Sequence, residues 1–222
     1  MQYILLLLAV LLGYIAAWLL HRRNIARIPI FLAFSGAFLL ALTFFELMPG
    51  VYQLPSRWTG VFIVCGILLQ ILLEFLSKGA EHGHVHASKK EAAFPWPLFL
   101  SLCLHALVEG FSVSGENNMA VGIFMHKVPV TIILTFFFIQ HKVKKGTVFF
   151  FLFVFALMAP LGAYLMGYVP LFAMYRTEIL AVAIGVLLHV ATTILFESSK
   201  NHTFNLAKVL AVVAGAAMAF FV

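Results

Sequence analysis

The stretch from Pro95 to Gln140, PWPLFLSLCLHALVEGFSVSGENNMAVGIFMHKVPVTIILTFFFIQ, holds two long apolar runs joined by a tight polar hairpin, Gly115-Glu116-Asn117-Asn118. About 20 apolar residues on an α-helix rise ~30 Å, the thickness of a bilayer's hydrocarbon core. Working outward from this pair (about 95–115 and 118–140), six more apolar runs follow, at about 1–20, 28–48, 59–77, 147–168, 176–197 and 205–222. In lipid every backbone polar group needs an internal partner, which leaves helices or a closed barrel. Barrel strands need only ~9–11 alternating residues, whereas these runs are long and continuously apolar. The expected fold is an all-α integral membrane protein with eight transmembrane helices, in one domain over residues 1–222.

Composition agrees. The chain is 64% hydrophobic and 10% charged, and a soluble domain carries roughly a quarter charged residues. Asp is absent, all eight acids are Glu, and the net charge is +6. All the basic residues but Lys127 fall between the apolar runs or at their ends, which makes them topology signals and not a nucleic-acid footprint. Loops 1, 3, 5 and 7 hold Arg22, Arg23, Arg27, Lys78, Lys89, Lys90, Lys142, Lys144, Lys145, Lys200 and Lys208, whereas loops 2, 4 and 6 hold only Arg57 and Arg176. The positive-inside bias puts the odd loops in the cytoplasm and both termini outside. The first run lacks a basic leader and a small-residue cleavage site, so it reads as a retained span. The compact loops are economical in the manner of a bacterial inner-membrane protein. Cys65 and Cys103 both lie in apolar runs and form no disulfide framework.

An ionisable residue inside a span costs roughly 2.5–3.5 kcal/mol on insertion scales, so each one asks for a reason. His105 and Glu109 are four apart and share one helix face, which Ser112 and Glu116 continue. Counted from the hairpin tip at ~1.5 Å per residue, Glu109 lies roughly 12 Å deep, His126 roughly 13 Å and His105 roughly 18 Å. Two imidazoles and a carboxylate at matching depth suit Zn²⁺, Fe²⁺ or another first-row divalent ion. The plainer reading is a polar clamp between helices. Lys127 is too deep to reach the interface freely, and Glu109 is its nearest available partner. Pro129 removes a backbone hydrogen bond beside His126 and is expected to kink its helix.

Other polar residues trace a path. Glu46 lies at the outer end of the second run, and His189 and Glu197 lie toward the inner end of the seventh, an entrance and an exit around the central cluster. Glu74 reads as an interfacial anchor. The loop of about 78–94 carries His82, His84 and His86 at alternate positions, a pattern able to bind zinc or copper loosely.

The pattern resembles the ZIP (Zrt/Irt-like) family of divalent metal transporters across nearly the whole chain. The resemblance is carried by the eight spans with both ends outside, the His-rich third loop, His105-x-x-x-Glu109-Gly110 in span 4 and His126-Lys127-Val128-Pro129 in span 5. Weaker echoes are Phe45-Glu46-Leu47-Met48-Pro49, Pro160-Leu161-Gly162 and the stretch from Gly185 to Glu197. It implies spans 1–3 and 6–8 as inverted repeats around spans 4 and 5, transport of Zn²⁺, Fe²⁺ and related ions into the cytoplasm, and a homodimer. Typical members hold a second metal at positions occupied here by Ala106, Lys127, Val130 and Ala159. The positions of the first metal, His105, Glu109 and His126, are kept. A single-metal variant follows, in which the Lys127 ammonium stands where a second cation would sit. Two other classes stay open. One is a non-transporting membrane metal sensor or subunit. The other is an intramembrane zinc hydrolase, although the chain has no His-Glu-x-x-His.

Overall fold

A computed structural model describes residues 1–20, 28–53, 57–77, 95–113, 118–197 and 206–222. Within these residues the chain is all-helical, with no strand. Six helices are long and apolar enough to cross a membrane. They are α1 (Gln2–Leu20), α2 (Ile28–Val51), α3 (Arg57–Ser77), α5 (Met119–Gln140), α6 (Lys145–Tyr168) and α7 (Arg176–Glu197). Two apolar helices are shorter, α4 (Trp96–Phe111) and α8 (Leu206–Phe220). A helical turn, Pro170–Met174, links α6 to α7.

Local sequence explains the irregular points. Pro95 and Pro97 bracket the start of α4, where a missing N–H leaves no hydrogen bond unmade. Helix α2 widens into a π-helical turn, Thr43–Leu47, which contains Glu46. The Thr43 hydroxyl donates to the Leu39 carbonyl at 2.8 Å just before it. In α5, Pro129 cannot bond the carbonyl of Met125. Beyond it, the hydroxyls of Thr131 and Thr135 donate to the carbonyls of Lys127 and Thr131, at 2.8 and 2.7 Å. Such side-chain bonds supply the local polar partners that lipid does not offer.

The helices pack in four close pairs, α2 on α8, α3 on α7, α1 on α5 and α4 on α6. Contacts of α1 with α6 and of α2 with α7 join these pairs into two groups, α1/α4/α5/α6 and α2/α3/α7/α8. Helix α3 against α4, α4 against α7 and α2 against α5 connect the groups. Small residues permit the closest crossings. A Cβ on Gly110 would strike the Ala159 carbonyl of α6, and one on Gly162 would strike the Leu107 carbonyl of α4. The glycine after Glu109 therefore lets α4 seat directly on α6, which fixes the helix that carries half of the site. Gly66 and Gly185 make the equivalent crossing of α3 and α7.

The outside of the bundle is apolar and the inside is unusually polar. Phe149, Phe153, Tyr164 and Tyr168 of α6 are exposed, as are Leu11, Ile15 and Leu19 of α1. Buried instead are Gln70, Ser101, His105, Glu109, His126, Lys127 and Thr131. Apolar side chains toward the surroundings and ionisable ones toward the bundle centre suit a lipid solvent.

Candidate metal site

Glu109 is the centre of the site. Its side chain is 1% exposed and its two oxygens face different partners. Oε2 accepts from the Lys127 ammonium at 3.1 Å. Oε1 lies 3.1 Å from Nε2 of His105 and 3.8 Å from Nε2 of His126. The two imidazole centroids are 6.5 Å apart with the rings nearly perpendicular, at 80°. Helix α4 supplies His105 and Glu109 on one face, one turn apart, and α5 supplies His126 and Lys127 as neighbours.

The distances fit a shared ion. One ligand atom from each of His105, Glu109 and His126 lies within 4.8 Å of the others. Zinc holds nitrogen and oxygen ligands at about 2.0–2.2 Å, so the edges of a tetrahedral site are roughly 3.4 Å. The observed 3.1 and 3.8 Å bracket that edge, and drawing in the widest pair completes it. Oε1 of Glu109 also has no hydrogen-bond partner among the described residues, despite its burial. A buried carboxylate oxygen without a donor is costly unless a cation takes it.

Lys127 is 1% exposed and its ammonium lies 4.9 Å from the centre of the Phe155 ring. A fully buried ammonium needs a counter-charge, and Glu109 provides it. The pair is neutral as a unit and leaves Oε1 facing the imidazoles. Leu102, Val130 and Phe155 complete the lining of a small cavity around His105, Glu109, His126 and Lys127. Of the second-metal positions, Lys127 and Val130 line this cavity, and Ala106 and Ala159 are buried apolar side chains.

The other candidate residues lie apart from this cluster. Ser112 is buried just beyond α4, and its hydroxyl donates to the Glu109 carbonyl at 2.6 Å, which caps the helix beneath the carboxylate's own backbone. Glu46, in the π-helical turn, accepts from the Asn118 amide at 3.2 Å, and the same amide donates to the Val222 carbonyl at 2.7 Å. His189 of α7 pairs across to Glu74 of α3 at 2.7 Å, with the Thr193 hydroxyl 3.5 Å from the same ring nitrogen. Glu74 thus ties two helices together, a role beyond that of an interfacial anchor. Cys103 is buried in an apolar cluster with Val10, Leu102, Leu134 and Phe151. The side chain of Glu197 and the loop residues His82, His84 and His86 lie outside the described residues.

One residue of the site carries no charge. Gln70 of α3 is fully buried, with Oε1 3.0 Å from Nδ1 of His105. A search for ionisable residues passes over it. The signal that finds it is a lone amide deep in an apolar run, four residues before Glu74 and so on the same face.

A family model described as ZIP zinc transporter matches residues 76–222, the part of the chain that contains the whole His105–Glu109–His126 cluster. No curated protein matches the chain.

Proposed function

The chain belongs to the ZIP zinc transporter family, and from that premise we propose that it moves Zn²⁺ into the cytoplasm through one intramembrane site formed by His105, Glu109 and His126. Membership makes the protein a multi-pass membrane protein of a divalent-metal transport family and supports a non-enzymatic reading. The observation that carries the single-site proposal is the division of Glu109, with one oxygen on the Lys127 ammonium and the other beside two imidazole nitrogens. Two imidazoles favour zinc over harder ions such as manganese, with Fe²⁺ as the next candidate. In this reading Lys127 takes the place of a second metal.

The path is proposed to begin at Glu46, pass Ser112 and the central site, and leave by His189 and Glu197. The loop histidines His82, His84 and His86 would gather metal on the cytoplasmic side. Eight spans are proposed, counting the shorter α4 and α8 among them, with both termini outside, in a bacterial inner membrane and as a homodimer. The packing pattern supports inverted repeats. Exchanging α1 with α6, α2 with α7, α3 with α8 and α4 with α5 maps the pair α1–α5 onto α6–α4, and α2–α8 onto α7–α3. Transporters built this way bind cargo where the repeats meet.

A second reading is a membrane metal sensor, favoured by the apolar residues Ala106, Val130 and Ala159 at the second-metal positions. Zinc flux into proteoliposomes separates the two. Saturable uptake is expected for the natural protein and a fall of at least ~10-fold for His105→Ala and for His126→Ala, since losing even an outer partner of a metal ligand costs about 10–100-fold. No uptake by a folded protein that still binds zinc would leave the sensor reading standing. Isothermal titration after replacing His82, His84 and His86 with alanine is expected to give one zinc per chain, and a stoichiometry of two would remove the role given to Lys127.

A further inference from the structure

Neutral imidazole has one N–H and one lone pair, and the partner of one nitrogen decides what the other can do. His105 Nδ1 lies 3.0 Å from Gln70 Oε1, and its Nε2 lies 3.1 Å from Glu109 Oε1. Oε1 of Glu109 nevertheless receives no hydrogen bond among the described residues. Nε2 and this oxygen sit side by side, as two ligands of one ion would.

We propose that Gln70 is a positioning residue of the metal site, which accepts the Nδ1–H of His105 and so turns the Nε2 lone pair toward the metal. The inference rests on the reading of His105 as a ligand, and names what orients it. Outer partners of this kind fix both the tautomer and the direction of a ligating ring. They are commonly carboxylates, but an amide suits this site better. Glu109 is already balanced by Lys127, and a further buried carboxylate would add a charge with no partner.

Gln70 is well placed to hold the ring still. The Ser101 hydroxyl of α4 donates to the Leu73 carbonyl of α3. One turn beyond Gln70, Glu74 binds His189 of α7. Helix α3 is thus tied to both of its neighbours around the amide. The arrangement has a consequence for release. Gln70 belongs to the α2/α3/α7/α8 group and His105 to the other, so the orientation of the ligand depends on the α3–α4 contact. Any separation of these two helices withdraws the acceptor and weakens the site.

The test uses the full chain with His82, His84 and His86 replaced by alanine, and compares Gln70→Leu, Gln70→Glu and His105→Ala. Zinc affinity is read by isothermal titration, and the His105 tautomer by ¹⁵N NMR of the metal-free protein. Gln70→Leu is expected to weaken zinc binding about 10–100-fold, the usual cost of losing such an outer partner, and to shift His105 away from the Nδ1–H form. Gln70→Glu keeps an acceptor and is expected to restore the Nδ1–H form and most of the lost affinity, while the added buried charge lowers the thermal stability of the metal-free protein. In transport, Gln70→Leu should raise KM more than it lowers the maximal rate. If Gln70→Leu does not fold, Gln70→Met, of similar length and without an amide, replaces it. Unchanged affinity and tautomer in the apolar variant, or no rescue by Gln70→Glu, overturns the proposal alone provided His105→Ala has lost binding. If His105→Ala binds zinc as before, the metal-site reading itself fails and this inference fails with it.

Discussion

Glu109→Gln is expected to abolish saturable zinc uptake in proteoliposomes, with a loss of at least ~100-fold, because the carboxylate is the only negative charge among the described residues that meet at the site. The substitution keeps the side chain's volume and changes its charge, so packing against α6 is preserved. Two effects then add. The Lys127 ammonium, 1% exposed, loses its counter-charge, and stranding one member of a buried pair costs about 3–5 kcal/mol. A divalent ion next to the His105 and His126 nitrogens would also meet that ammonium without an intervening carboxylate. At about 4 Å and an effective dielectric constant of about 20, a +2 and a +1 charge repel by on the order of 8 kcal/mol. The second effect is the larger, so binding fails even where the protein folds.

The double variant Glu109→Gln with Lys127→Met separates the two roles. It removes both charges, so thermal stability of the metal-free protein should return toward that of the natural chain. Uptake should stay lost, since the amide that replaces the carboxylate offers the metal no negative charge. Uptake by either variant near the natural level would sink the assignment of Glu109 as the central ligand.

Much of this arrangement was legible in the sequence, and the rest fails to be so for physical reasons. Hydrophobic length alone locates the helices, because lipid requires each run to satisfy its own backbone. Depth counting from the hairpin at Gly115 places His105, Glu109 and His126 together, and the same count pairs Lys127 with Glu109. These inferences hold within two helices joined by a short turn. They weaken once a third helix is involved. Nothing in the run around Gln70 states which helix it will face, and an amide carries too little energetic cost to stand out among charges. His189 shares a face of α7 with Glu197 in sequence, but its partner in space is Glu74 of α3. That contact depends on the glycine crossing of α3 and α7, a feature of packing between distant runs. The π-helical turn at Glu46 is of the same kind. It re-aims a side chain by adding one residue to a turn, and periodicity read over whole runs does not resolve it.

Lys127→Met should change the site in the opposite sense to Glu109→Gln. In the natural protein the ammonium neutralises Glu109 before any metal arrives. Methionine leaves the carboxylate buried and unpaired, which is expected to destabilise the metal-free protein by about 3–5 kcal/mol and lower its Tm. The fit is otherwise conservative, since a thioether packs favourably against the Phe155 ring that now faces the ammonium. Zinc then becomes the principal counter-charge for Glu109. Binding should tighten, because a neighbouring positive charge has gone, and saturating zinc should raise Tm by more than it does in the natural chain. Transport should show a lower KM with a reduced maximal rate, because cargo must also be held weakly enough to leave. Thermal unfolding in detergent with and without zinc, alongside uptake kinetics, measures all three effects. If zinc stabilises the two proteins equally, the ammonium is not acting in place of a cation, and Lys127 serves only to balance charge.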